Sequence, residues 1–225
     1  MGGAFGWKSV LGIFAHPDDE TLGAGGTFKI LAEQGVGVHI HVMADGVSRR
    51  HQDSDISGSA MLRRACEVLG ASSSVGGYDG VLEMSGSRYE TKWFQEIVKL
   101  IGEYQPDAVF SHSASDMHDD HTLVHRAVRY AAARYRHIWF LGSEVVSSTD
   151  RTWGSEFTPN LYWDISKTLA TKVEAFECYP CEVTEARGRT GEAIRALASY
   201  RGSQSGYQSA EAFEILHAAY SRDAS

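Results

Sequence analysis

Cysteine and proline are scarce in this sequence, and no long apolar or basic run occurs in it. Three cysteines among 225 residues cannot all be paired, which excludes a disulfide-stapled fold and suits a reducing compartment such as the cytoplasm. Four prolines, with 43% apolar and 22% charged residues, exclude a disordered or low-complexity chain. No stretch approaches the roughly 20 apolar residues of a membrane helix. The Gly-rich start, Met1 to Trp7, lacks the basic-then-apolar order of a signal peptide, and Gly6 stands where myristoylation wants Ser or Thr. Basic runs stop at the pairs Arg49-Arg50 and Arg63-Arg64, and the net charge is −8. Such a chain offers little to a phosphate backbone, so nucleic acid is not expected as a partner. Histidine is what the sequence has in excess. There are ten against five methionines, and histidine supplies metal ligands and acid/base groups near neutral pH.

No repeat or linker marks a boundary, so residues 1–225 are expected to form one domain. Ser9 to Ala15 is a short apolar run, the pattern of a strand buried on both faces, and it stops at His16-Pro17. Thr21 to Gln34 predicts a helix stopped by Gly35, and Val36 to Met43 alternates as a second strand. Helical patterns recur over Met61 to Leu69, Thr91 to Tyr104 and Asp120 to Tyr135, with strands at Asp107 to Ser111 and His137 to Leu141. This alternation predicts an α/β fold, a Rossmann-like and mostly parallel sheet with helices on both faces. Ligands of such sheets bind outside the C-terminal strand ends. Two polar motifs directly follow strands, at His16 and after Ser111, so both belong to that edge.

The first motif, Ala15-His-Pro-Asp-Asp-Glu20, sets His16 and Asp19 three apart in a turn held by Pro17. Imidazole and carboxylate can then converge on one ion, a nitrogen and oxygen pair that suits Zn²⁺. The same residues also suit a solvated acidic turn at a helix N-terminus. The second motif, Asp116-Met-His118-Asp-Asp-His121-Thr-Leu-Val-His125, holds three histidines and three aspartates in ten residues. His121 and His125 lie one helical turn apart and can share a face; Asp119 or Asp120 can equally cap the helix, with His125 merely packed. Together on one sheet edge, the motifs favour a mononuclear zinc site. No H-E-x-x-H occurs, so a protease of that type gains no support.

The motif AHPDDE, followed by Leu22-Gly23-Ala-Gly25-Gly26-Thr27 and then the H-x-D-H of His118 to His121, resembles the PIG-L/LmbE-like N-acetylglucosaminide deacetylases. Arg64-Ala-Cys-Glu67 with Leu69-Gly70, Phe157-Thr-Pro-Asn160 through Asp164-Ile165, and Ala210-Glu-Ala-Phe213 are similar to further segments of that family. The resemblance covers most of the chain. It implies a hydrolase that removes an N-acetyl group from an N-acetylated amino sugar or its conjugate, a small-molecule substrate. It implies one Zn²⁺ per chain, held by His16, Asp19 and His121 with water at the open position; other divalent transition metals would fit the same donors. It implies that Asp18 is the general base and that His118, as an imidazolium oriented by Asp120 or Asp116, aids the tetrahedral intermediate. It suggests Arg64 and Asp79 as sugar contacts, although Arg64 equally suits an ion pair with Glu67. His125 is expected to pack behind the ligands, and His112 to end a strand at the pocket. Many relatives self-associate, so a homo-oligomer is compatible with the family.

The chain departs from the family at Cys178 and Cys181, which stand near a position where members commonly carry a polar Ser-Gln stretch. Their C-x-x-C spacing follows the helical pattern of Lys167 to Phe176, where neither a redox pair nor a zinc site is expected. Trp153, in a loop-like segment, is the tryptophan best placed to stack on a sugar. Specificity is expected from Val47 to Ser57 and from the 147–158 and 180–208 segments. Three rival readings are an N-deacylase of a non-sugar substrate, a silent sugar-binding protein and a nucleotide-binding Rossmann module. The silent protein has no need of Asp18. The nucleotide-binding module wants a third glycine that Gly23-Ala-Gly25-Gly-Thr-Phe28 lacks, and the acids before it would repel a pyrophosphate.

Overall fold

The structure, a computed structural model, describes residues 4–44, 57–78, 92–151, 153–154 and 156–219. Asp79 and most of the Val47 to Ser57 segment fall outside that range. Its strands are β1 (Ser9–Phe14), β2 (Gly37–Ala44), β3 (Ser72–Tyr78), β4 (Ala108–His112), β5 (Trp139–Ser143), β6 (Leu161–Asp164) and β7 (Ala210–His217). They form one sheet in the order β3-β2-β1-β4-β5-β7-β6. The first five run parallel, and β7 pairs antiparallel with both β5 and β6. The mostly parallel α/β sheet expected from the alternation is therefore the one observed.

β1 lies inside the sheet, between β2 and β4, which explains its apolar character on both faces. Val10 and Phe14 join one hydrophobic layer with helices α1 (Asp19–Glu33), α2 (Gly58–Leu69) and α5 (Leu169–Glu177). Leu11 and Ile13 join the other with α3 (Lys92–Tyr104) and α4 (Asp119–Ala132). A last helix, α6 (Gly191–Ser205), packs against β6 and β7. Boundaries shift where polar residues enter a helix. α1 starts at Asp19 rather than Thr21, because the acids form its first turn. α4 ends at Ala132, and β5 begins at Trp139. Among the described residues, no helix is long and apolar enough to cross a membrane.

The glycines of the first motif lie inside α1, where they allow close packing. A Cβ on Gly26 would sit 2.8 Å from Ile165 Cγ2, and one on Gly23 would sit 2.6 Å from Ser143 Oγ. Buried Glu211 of β7 fastens the same turn of helix. Its carboxylate accepts from the Gly26 and Thr27 backbone N–H groups at 2.9 and 2.7 Å and from Lys172 Nζ at 2.6 Å. Lys172 also donates to the Leu22 carbonyl at 2.8 Å. These glycines serve helix-to-sheet contact rather than a phosphate loop, which removes the feature behind the nucleotide-binding reading.

Strand order reverses between β1 and β4, and a crevice opens at the C-terminal ends of such a pair. Both histidine and aspartate motifs emerge there.

Candidate metal centre

β1 ends at Phe14, and the chain turns into α1 through Pro17 and Asp18, whose φ of 111° is a strained value for a residue with a side chain. This turn directs Asp19 inward. Its Oδ2 accepts from the His16 backbone N–H at 2.9 Å, and lies 3.3 Å from His16 Nδ1 and 3.2 Å from His121 Nε2. His121 is the third residue of α4, so β4 and α4 bring the second motif onto the first.

The two outer ring nitrogens meet carboxylates. His16 Nε2 contacts Asp120 Oδ2 at 2.8 Å. His121 Nδ1 stands 3.0 Å from Asp116 Oδ2, an ion-pair distance without hydrogen-bond alignment. Asp116 is itself fixed, with Oδ2 accepting from Ser148 Oγ at 2.9 Å and Thr149 Oγ1 at 2.8 Å and Oδ1 from the His118 backbone N–H at 2.8 Å. A carboxylate behind each imidazole is the support usual for metal-binding histidines.

The residues fit a metal ion. Bonds of about 2.0–2.2 Å in a tetrahedral shell separate donors by about 3.3–3.6 Å, close to the two spacings at Asp19 Oδ2. Asp19 Oδ1 is buried and lacks a hydrogen-bond partner among the described residues. Donor atoms of His16, His118 and His121 gather within 4.8 Å of one another, as do those of Asp19, His112 and His121. Two of these five are otherwise engaged. His112 Nε2 accepts from the Ala15 backbone N–H at 2.9 Å, and His118 Nδ1 accepts from that of Asp120 at 3.2 Å. Each of these bonds takes one ring nitrogen only, so all five stay candidate donors, among them the His16, Asp19 and His121 that the resemblance implies.

The electrostatics favour positive charge at this point. Burial works against protonation of His16 and His121, yet Asp120 with Asp19, and Asp19 with Asp116, raise them to about 9 and about 10. Asp19 lies well below the ordinary carboxylate range, since His121 and His16 outweigh its burial. For His118 the direction is opposite to that of its two neighbours. Burial and the charges on His121 and His16 push it down to about 4. Nδ1 accepts from the Asp120 amide, which leaves Nε2 as the ring nitrogen that can donate. His118 is thus oriented by the backbone of Asp120, whose carboxylate serves His16 instead.

Asp18 and Glu20 point away from Asp19, in different directions. Glu20 is buried and accepts from Tyr179 and Thr21 hydroxyls, each at 2.6 Å. Asp18 pairs with Arg189 Nη1 at 2.6 Å; burial pushes its carboxyl well above the ordinary carboxylate range, and the guanidinium offsets only part of that rise. Arg189 also donates to Ser147 Oγ at 2.7 Å and lies 3.4 Å from Glu182. No motif marked Arg189, which is 171 positions from Asp18. His125 donates from Nδ1 to the His112 carbonyl at 2.8 Å, a packing role behind the cluster. Arg64 is exposed on α2 and is not among the side chains gathered around Asp19. Cys178 and Cys181 are free thiols beyond α5, and Trp153 is 99% exposed.

Residues 11–132 match the family model described as PIG-L: GlcNAc-PI de-N-acetylase. The chain is similar to the diacetylchitobiose deacetylase of Thermococcus kodakarensis, 28% identical over 240 residues that cover 93% of this chain and 83% of that protein. Its fold is that of the N,N'-diacetylchitobiose deacetylase from Pyrococcus horikoshii, with a TM-score of 0.75, 22% identity, and coverage of 93% of this chain and 84% of that one. It is equally that of GalB, the 4-carboxy-2-hydroxymuconate hydratase of Pseudomonas putida, with a TM-score of 0.76, 19% identity, and coverage of 97% and 100%. The fold thus carries more than one chemistry, and the reaction must be argued from the site.

Proposed function

The chain belongs to the PIG-L family of GlcNAc-PI de-N-acetylases, and from that premise we propose that it is a metal-dependent hydrolase removing the acetyl group from an N-acetylated amino sugar or its conjugate. The observation that carries this reading is the convergence of His16 Nδ1 and His121 Nε2 on Asp19 Oδ2, at 3.3 and 3.2 Å. These three residues would hold one zinc ion per chain, or another divalent transition metal that accepts nitrogen and oxygen donors. A zinc ion bound there supplies Lewis acidity, lowering the pKa of water toward ~7 and polarising an amide carbonyl.

The chain's own groups do the rest. Asp18 takes the proton of the attacking water and returns it to the leaving amine, which general-base logic rewards with about 10²–10⁴ in rate. Burial leaves that carboxyl well above the ordinary carboxylate range, and Arg189 offsets part of the rise. Neutral His118 donates Nε2–H to the carbonyl oxygen as negative charge develops, in the manner of an oxyanion-hole side chain. Asp120 and Asp116 fix the rings of His16 and His121. Arg64 and Asp79 are assigned to the sugar by resemblance alone, and three free thiols suit a reducing compartment.

Acetate release from a panel of N-acetyl amino sugars and conjugates tests the reading. The metal-loaded protein should release acetate from at least one, and Asp18→Asn should lower that rate about 10²–10⁴-fold with metal content unchanged. A rate that survives the substitution removes Asp18 from the reaction.

A further inference from the structure

Glu20 is the one acid of the first motif that neither the candidate centre nor the proposed reaction uses. It is fully buried, and a buried carboxylate is costly unless donors surround it. Three do. Oε1 accepts from the Tyr179 and Thr21 hydroxyls, each at 2.6 Å, and Oε2 accepts from the Asp18 backbone N–H at 3.1 Å. Tyr179 is equally buried and lies just beyond the C-cap of α5, 159 positions from Glu20 in sequence. Burial and the adjacent Glu20 raise its phenol well above the ordinary value, so it remains a donor.

The third of these bonds falls on a strained residue. Asp18 has φ 111° and ψ −29°, and such a conformation persists only where the surroundings over-determine it. Its carbonyl accepts from the Thr21 and Leu22 amides of α1 at 3.1 and 2.9 Å, and its side chain meets Arg189 at 2.6 Å. Among the described residues, its N–H is held by Glu20 alone. The turn has a consequence for charge. Asp18 and Asp19 are adjacent, and two neighbouring carboxylates are both drawn to a cation. This backbone sends one to Arg189 and the other to His16 and His121.

Resting on the deacetylase reading, we propose that Tyr179 and Glu20 are positioning residues for the general base. The Tyr179 hydroxyl orients the Glu20 carboxylate, and Glu20 holds the Asp18 peptide in its left-handed turn. The Asp18 carboxylate is thereby kept apart from the one that Asp19 offers the metal.

Tyr179→Phe keeps the ring and removes one donor. The substrate for the test is the N-acetyl amino sugar of the panel that the metal-loaded wild type deacetylates fastest. On it, kcat should fall about 10–100-fold, the scale of a small misplacement of a reacting group, with KM and zinc content within about twofold of wild type. In an Asp18→Asn background the same substitution should lower the residual rate by less than about twofold, since residues that act through one group are not additive. Hydrogen exchange at the Asp18 amide, followed by NMR, should accelerate about tenfold or more in Tyr179→Phe as its acceptor loosens. Should Tyr179→Phe fail to fold, Thr21→Val removes the other hydroxyl from the same oxygen and is expected to behave likewise. An unchanged kcat, or an equal fold-loss with and without Asp18, overturns the proposal and leaves the deacetylase reading standing. If the wild type hydrolyses no member of the panel, the deacetylase reading falls and amide exchange decides. Acceleration at Asp18 then supports the hold on its peptide, and unchanged exchange overturns it.

Discussion

Gly25 and Gly26 are adjacent in α1 but face different surroundings, and replacing each by alanine separates packing from any ligand-binding role. A Cβ on Gly26 would lie 2.8, 3.0 and 3.1 Å from three carbons of Ile165, a fully buried β-branched side chain. Those separations are nearly 1 Å inside ordinary carbon contact, and overpacking of this kind costs about 1–3 kcal/mol. A Cβ on Gly25 meets nothing nearer than Lys172 Cγ at 3.4 Å. Both substitutions gain up to about 1 kcal/mol of helix propensity. That gain cancels in the comparison, so Gly26→Ala should be less stable than Gly25→Ala by about 1–3 kcal/mol. With a urea slope of about 2.5 kcal/mol/M for a chain of this size, the midpoints should differ by about 0.4–1.2 M. Gly25→Ala should also keep its acetate-releasing activity, since no bound phosphate depends on that glycine. Coincident midpoints, or a Gly25→Ala variant that unfolds first, would refute the packing account of this motif.

Two further substitutions probe the residues behind the centre. Asp116→Asn keeps a similar shape but removes the charge facing His121, and zinc affinity in a competition titration should fall about 10–100-fold; an unchanged affinity would detach Asp116 from the site. Arg189→Gln removes the cation that holds the Asp18 carboxyl down against burial. Asp18 must then lose its proton at higher pH, so the acidic limb of kcat/KM should move to higher pH. A merely structural role for Arg189 would lower activity without moving that limb.

The fold was legible where strands are buried on both faces, because β1 and β4 read as unbroken apolar runs closed by polar turns. It was not legible at β3, whose Ser72 to Tyr78 is rich in serine and glycine. An edge strand needs little apolar surface, and such residues imitate a loop. β6 and β7 were equally hidden, since Glu211 interrupts the apolar pattern of β7 and is buried only through Lys172 and two α1 amides.

Site residues that lie within a few positions of each other, such as His16 with Asp19 and His118 with His121, could be found from spacing. Arg189, Ser148, Thr149 and Tyr179 could not, because each reaches its partner through the tertiary fold. The surroundings of His118 were hidden for a related reason. Spacing shows an imidazole near carboxylates, whereas in the structure its ring also meets those of His16 and His121, with its Nδ1 lone pair taken by the Asp120 amide.

The central claim is that His16, Asp19 and His121 bind one metal ion. The direct measurement is zinc content per chain after loading and exhaustive dialysis, for the wild type, Asp19→Ala and His121→Ala, with folding checked by circular dichroism. The wild type should retain about one equivalent, as one three-ligand site requires, and each folded variant close to none. A wild type that retains no zinc, or folded variants that retain as much as the wild type, would contradict the account.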